Sequence, residues 1–223
     1  MKIYRANIIC TPTPKAFRIV PRGYVCVSDE GIIRRVCETL PHEYESFPVV
    51  DYGDRLLIPA FCDLHVHAPQ YRNMGMAMDE ELLPWLEKYT FPEEAKFADI
   101  AYADKIYRRF VHELWMQGTM RSAVFATVHP EATRRLMQLF EMAGLGAFVG
   151  LVGMDRNCPD NLRNTADDMR AFYVRCVQPA GWQGGKPLVR PILTPRFIPS
   201  WPSRTSRNSP PGDVRGNHYP SAR

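Results

Sequence analysis

Three residues of this chain have types and a spacing suited to metal chemistry. They are Asp63, His65 and His67, near the end of the stretch LLIPAFCDLHVHAPQ from Leu56 to Gln70. Side chains of a strand alternate between its two faces, so positions i, i+2 and i+4 share one face. Read as one strand, this stretch has Leu56, Leu57, Ile58, Phe61, Leu64 and Val66 as its apolar content and turns all three polar groups the same way. Pro59 falls at its early end, where a missing ladder N–H is tolerated. A single histidine on a strand is usually a satisfied core or surface residue. Two imidazoles on one face after an apolar run need partners if they are buried, and neutral imidazole is the commonest metal ligand. Spacing alone leaves the two readings level.

The elements around this stretch decide what it could serve. Lys2 to Cys10, Phe17 to Val20, Gly23 to Ser28, Ile32 to Val36 and Val49 to Tyr52 read as short strands, with Asp29-Glu30-Gly31 turning a hairpin. These predict a small β-sheet domain at the front of the chain. The pattern then changes. Asp79 to Tyr89 has an acidic helical start interrupted by Pro84, and Glu93 to Met116 repeats apolar residues at three and four. Met120 to Val128 reads as a strand, Glu131 to Ala143 as an amphipathic helix, and Ala147 to Met154 as a strand. Asn164 to Val177 reads as a helix with Thr165 at its N-cap, and Leu188 to Thr194 as a further strand.

Apolar strands alternating with amphipathic helices argue for parallel βα units, hence an α/β fold. Chemistry-capable residues collect where each strand ends: His65 and His67, then Thr127 and His129, then Asp155, then Arg196. In a βα barrel the active site is built from those ends. His129 is as well explained by a loop or pocket wall as by substrate contact, and Asp155 and Asn157 by a turn cap. Trp85 and Tyr89 read as helix packing, and His42 and His112 as surface or packing residues.

Composition is that of an ordinary globular chain, with 45% hydrophobic and 23% charged residues over 223 positions. The net charge of +4 is too small to argue for nucleic acid, and most of it comes from Arg204, Arg207, Arg215 and Arg223 near the end. From Ile198 onward prolines lie among Ser, Arg and Asn without periodicity, so disorder is expected over 198–223. The six cysteines form no C-x-x-C, no apolar signal segment opens the chain, and no run of about 18 apolar residues exists to span a membrane. Free thiols in a reducing cytoplasm are the expected state.

Five phrases carry a resemblance to a known family: DLHVHAPQY (63–71), LLPWLEKYTFPEEAKF (82–97), GTMRSAVFATVH (118–129), AFVGLVGMDRN (147–157) and PILTPRF (191–197). Together they resemble the guanine deaminases of the amidohydrolase superfamily. H-x-H alone marks only the superfamily; H-x-H-x-x-Q-Y followed by PWL-x-x-YTFP is more specific. The resemblance implies zinc-dependent hydrolysis of guanine to xanthine and ammonia on a distorted (β/α)8 barrel. Zinc brings the pKa of a bound water to about 7. The resulting nucleophile attacks C2 while a carboxylate moves protons. His65 and His67 match zinc ligands. Gln70, Arg196 and Phe197 match residues that contact the base.

Beyond Arg196 the family's third zinc ligand, proton-shuttling Glu and metal-binding Asp have no counterpart, so no catalytic residue is assigned. The expected organisation is therefore a partial β domain over 1–55, the first half of a barrel with about four βα units over 56–197, and an aberrant, disordered tail over 198–223 that looks like frameshifted sequence. The resemblance further implies a guanine-binding homodimer for the complete enzyme, with neither a membrane nor nucleic acid as partner. Two other readings stay open. One is a related deaminase acting on 8-oxoguanine or cytosine. The other is a truncated, non-catalytic fragment or partner-requiring half-barrel.

Overall fold

The computed structural model describes residues 1–177, 187–196 and 200, and divides into two compact units, Met1–Ala60 and Phe61–Arg223. The expectations placed on Phe197 and on 198–223 lie outside the described residues, apart from Ser200.

The first unit is a four-stranded sheet in the order β3-β2-β1-β4. Its strands are β1 (Lys2–Thr13), β2 (Ala16–Val27), β3 (Ile33–Cys37) and β4 (Val49–Leu57). β2 pairs antiparallel with both β1 and β3, and β4 runs parallel to β1. The hairpin turn at Asp29-Glu30-Gly31 joins β2 to β3, with the Gly31 N–H donating to the Ser28 carbonyl at 2.9 Å. Ile8, Val20 and Val25 form its small buried cluster.

The second unit holds a parallel four-stranded sheet in the order β5-β6-β7-β9. Its strands are β5 (Phe61–His67), β6 (Thr119–Phe125), β7 (Gly146–Gly150) and β9 (Val189–Pro191). A two-stranded parallel pair, β8 (Val152–Gly153) with β10 (Thr194–Pro195), continues from it. The stretch from Leu56 to Gln70 is therefore not one strand. β4 ends at Leu57, the chain breaks around Pro59, and β5 begins at Phe61. Nor is β5 buried. It lies at a sheet edge, with Phe61 58% and Leu64 77% exposed.

Helices cross between these strands. α3 (Ile100–Met116) precedes β6, α4 (Pro130–Ala143) precedes β7, and α5 (Ala166–Val177) precedes β9. The helical pattern from Glu93 to Met116 is broken at Asp99, whose backbone is extended and whose carboxylate accepts from the Ala101 N–H at 2.9 Å. An N-cap of this kind satisfies a backbone donor that has no partner within the helix. α4 stops at Gly144, where φ is +68° and the Leu145 N–H donates to the Phe140 carbonyl at 3.0 Å. That left-handed closing turn costs glycine little. Thr165 and Asp168 cap α5 reciprocally: the Asp168 N–H donates to Thr165 Oγ1 at 3.1 Å and the Thr165 N–H to Asp168 Oδ2 at 2.8 Å. The buried faces of α3 and α4 meet the sheet in one core containing Phe97, Tyr107, Phe110, Val124, Leu136 and Phe140.

Before α3 lies the segment with Pro84 and Pro92. α1 (Leu82–Trp85) passes through a wide π turn over Leu86–Thr90 into α2 (Phe91–Ala95). A proline inside a helix lacks a donor and crowds the carbonyl four residues back. The wide turn accommodates Pro92, and the Phe91 N–H donates to the Leu86 carbonyl. α2 turns Phe91, Glu93 and Glu94 inward.

Two devices set the path after β7. The buried Asn164 side chain accepts from the Met154 N–H at 2.9 Å and donates to the Val152 carbonyl at 2.6 Å, which fixes the end of β8. At Gly150 the chain packs so closely that a Cβ would lie 2.3 Å from the Thr194 side chain and 2.6 Å from the Ile192 carbonyl. Thr194 Oγ1 donates to the Leu151 carbonyl at 2.8 Å there.

Candidate functional site

A cavity of about 580 Å3 opens in the second unit, lined among others by His65, His67, Gln70, Trp85 and Arg196. The two histidines arrive on β5, and Gln70 on the 3-10 turn Ala68–Asn73 that follows it. Trp85 comes from α1, and Arg196 directly follows β10. Four of the five residues expected to form the site thus line one cavity. Phe197 is outside the described residues. Thr127, His129 and Asp155 are not among the lining residues.

Asp63 does not join the histidines. The register of β5 against β6 slips between Asp63 and Val66, so three steps on β5 face two on β6. Such a bulge reverses the alternation of side chains. Asp63 instead turns back on its own strand and accepts from the His65 N–H at 3.0 Å.

The rings of His65 and His67 lie 5.2 Å apart, edge to face, and both rest on Phe125 at 4.8 and 4.6 Å. His67 Nδ1 is buried and has no hydrogen-bond partner among the described residues. Burial, then the charge of Arg196, then His65 push the His67 imidazole down to about 3. It is therefore neutral at pH 7, the form that binds metals. Two imidazoles are one short of the three protein ligands that a catalytic zinc takes. Among the described residues no group of three His, Cys, Asp or Glu side chains could hold a metal.

A second wall is built around an ion pair. Arg196 Nη1 donates to both oxygens of Glu94, at 2.7 and 2.6 Å, and the two side chains are 3% and 0% exposed. Complete burial raises the Glu94 carboxyl, and the Arg196 guanidinium opposes that rise. The guanidinium carbon lies 5.3 Å from the centre of the Phe91 ring, a cation–π contact. The Arg196 backbone N–H donates to the Gly153 carbonyl at 3.1 Å. Arg196 Nη2 is buried and has no hydrogen-bond partner among the described residues. An unpaired buried donor is costly. Sequence reasoning found Arg196 but missed Glu94, because an acidic residue near a helix start reads as a solvated face.

No family model matches the chain. It is 34% identical over 222 residues to the guanine deaminase of Dictyostelium discoideum, covering 90% of this chain and 48% of that relative. The guanine deaminase of Escherichia coli is 36% identical over 156 residues, covering 70% of this chain and 35% of that relative. Among solved structures, the guanine deaminase of C. acetobutylicum with guanine bound in its active site superposes with a TM-score of 0.81 at 42% identity. That match covers 90% of this chain and 47% of the other. An atrazine chlorohydrolase of Arthrobacter aurescens, complexed with zinc, shares the fold at a TM-score of 0.75 and 14% identity, over 91% of this chain and 48% of the other. The chain spans about half the length of the curated relatives it matches. At this level of identity over most of its residues, on an α/β scaffold shared with those structures, the chain is a homologue of the guanine deaminases over about half of their length.

Proposed function

We propose that this chain carries the base-reading wall of a guanine deaminase site together with two of its zinc ligands. The observation that carries this reading is one cavity lined by an arginine, a glutamine and a pair of adjacent imidazoles. Arg196 would contact the base near its ring oxygen. The Gln70 amide, which can both donate and accept, would pair with the purine edge. Phe197, next in the chain, would cover a face of the ring. His65 and His67 would hold zinc, and their donor chemistry fits, since His67 is neutral with a free ring nitrogen. When bound with a full ligand set, zinc supplies a nucleophile of hydroxide strength near neutral pH. The ligand set within the described residues is incomplete, so no hydrolytic step is assigned to this chain alone. The site lies wholly within 56–197, the segment we assign to the barrel half, with 1–55 as an appended β domain. Six free cysteines fit a cytoplasmic protein, and we place the whole enzyme there as a homodimer.

The test is to purify the chain with zinc and measure guanine binding, bound zinc and xanthine formation. Retention of guanine without turnover supports the proposal. No binding of guanine, or preference for 8-oxoguanine or cytosine, overturns it. A second reading is a non-catalytic chain that pairs with a complementary half, and the exposed apolar edge of β5 favours it. One zinc per chain with xanthine formation would exclude that reading.

A further inference from the structure

The turn Ala68–Asn73, which brings Gln70 to the cavity, is held by the three residues that follow Gln70, each on a different neighbour. The Tyr71 ring stands edge to face with Phe110 of α3 at 6.2 Å. Arg72 Nη1 donates to the Tyr102 hydroxyl at 3.0 Å, and that hydroxyl donates to the buried carboxylate of Glu93. Asn73, buried, donates from Nδ2 to the Tyr89 carbonyl at 3.1 Å. Gln70 lines the cavity without a side-chain hydrogen bond of its own among the described residues. The direction of its amide therefore follows from where the turn is set.

The Asn73 bond ties that turn to another lining segment. Tyr89 belongs to the wide π turn Leu86–Thr90, and turns of this kind inside helices occur mostly at functional sites. The helical segment returns a bond of its own. Trp85 Nε1 donates to the Met76 carbonyl at 2.9 Å, and the Met76 N–H donates to the Asn73 carbonyl at 3.0 Å. One side chain from each segment thus stitches the two together beside the cavity that Gln70, Asn73, Trp85 and Leu86 all line.

We propose that Asn73 is a positioning residue: by anchoring the turn to the Tyr89 carbonyl it sets the Gln70 amide for the edge of a purine base. This rests on the base-reading role given to Gln70 above. Of the three anchors, the ring contact of Tyr71 has no donor, and the Arg72 side chain is half exposed, where water competes for its bond. The Asn73 bond is buried and directional, so losing it leaves the Tyr89 carbonyl without that donor and lets the turn tilt. A displacement of about 1 Å at the amide is enough to spoil a hydrogen bond to a bound base.

The test is a double-mutant cycle on the full chain. Binding of radiolabelled guanine is measured by equilibrium dialysis for the native chain, Gln70→Ala, Asn73→Ala and the double variant, with circular dichroism as the check on folding. Each single variant is expected to weaken guanine about tenfold. In the Gln70→Ala background, Asn73→Ala is expected to cost less than about twofold more, because the group it places is gone. An equal loss in both backgrounds would show that Asn73 acts on the base directly or through the fold alone. No loss in the native background would show that the turn is held without it. Both results overturn the proposal. Asn73→Ser gives the same comparison if Asn73→Ala does not fold.

A measurement on the native chain needs no variant. Deuterium exchange followed by NMR is expected to find a protected proton on the Asn73 side-chain amide, and rapid exchange of both amide protons would overturn the anchor. Failure of the base-reading role looks different. A native chain that binds no guanine, or a Gln70→Ala variant that binds it like the native chain, removes Gln70 as a reader, and the positioning role falls with it.

Discussion

The two walls of the cavity are held in different ways. Arg196 is gripped by a buried carboxylate, an aromatic ring and a backbone carbonyl, all supplied by this chain. His65 and His67 sit on an edge strand with Phe125 behind them, and Nδ1 of His67 has no partner among the described residues. The difference teaches that one wall of a cavity can be locked by its own chain while another still lacks an organising partner. A buried ion pair is an internal constraint. A histidine pair becomes one only when something joins the rings.

The largest expected effect lies on the arginine wall. Glu94→Ala leaves a buried guanidinium without its counter-charge and should lower unfolding free energy by about 3–5 kcal/mol in urea titration. A loss under about 1 kcal/mol would mean that the wall is not locked, and the contrast would disappear. Thr165→Ala removes half of the reciprocal cap on α5, a feature of neither wall, and should cost about 1 kcal/mol in the same assay. It sets the scale of an ordinary loss. His67→Ala should cost less than about 1 kcal/mol, because its buried nitrogen has no bond to lose. The same variant should lower the zinc retained after dialysis. A stability loss larger than that of Glu94→Ala would invert the comparison.

The smallest effect concerns the helices behind both walls. Asp104 on α3 accepts from Nε of Arg108 at 2.7 Å and from Nε of Arg135 on α4 at 2.6 Å. The Arg108 hydrogen bond leads in holding its carboxyl below the ordinary value, with Arg135 adding to it. A carboxyl whose folded pKa is depressed stabilises the fold above its unfolded pKa and loses that contribution as pH falls through the folded one. Asp104→Asn should therefore cost about 0.2–1 kcal/mol near neutral pH and flatten the acid limb of the stability profile. An unchanged limb would show that the α3–α4 contact depends on packing alone.

The alternation of strands and helices after Phe61 is legible in the sequence because each helix repeats apolar residues at three and four and each strand is a short apolar run. The paired histidines are legible from their spacing. Other features depend on partners that local pattern does not show. Asp63 shares the spacing of His65 and His67, and a bulge set by pairing with β6 turns it elsewhere. Leu56, Phe61 and Leu64 look like core residues, and strand position leaves them exposed. The break at Asp99 is visible only once its carboxylate is seen capping α3. Glu94 becomes intelligible through Arg196, 102 residues later.

Gly150 extends the site beyond the residues that line it. Thr194 docks where a Cβ at Gly150 would stand, and Arg196 follows two residues on. Any larger residue at position 150 would lift this segment off its seat and carry the guanidinium away from Glu94, while leaving His65 and His67 where they are. Such a lesion would look, in a binding assay, like a change of specificity at a residue that touches no ligand. The missing side chain at Gly150 acts as a spacer gauge: it sets how far the arginine reaches.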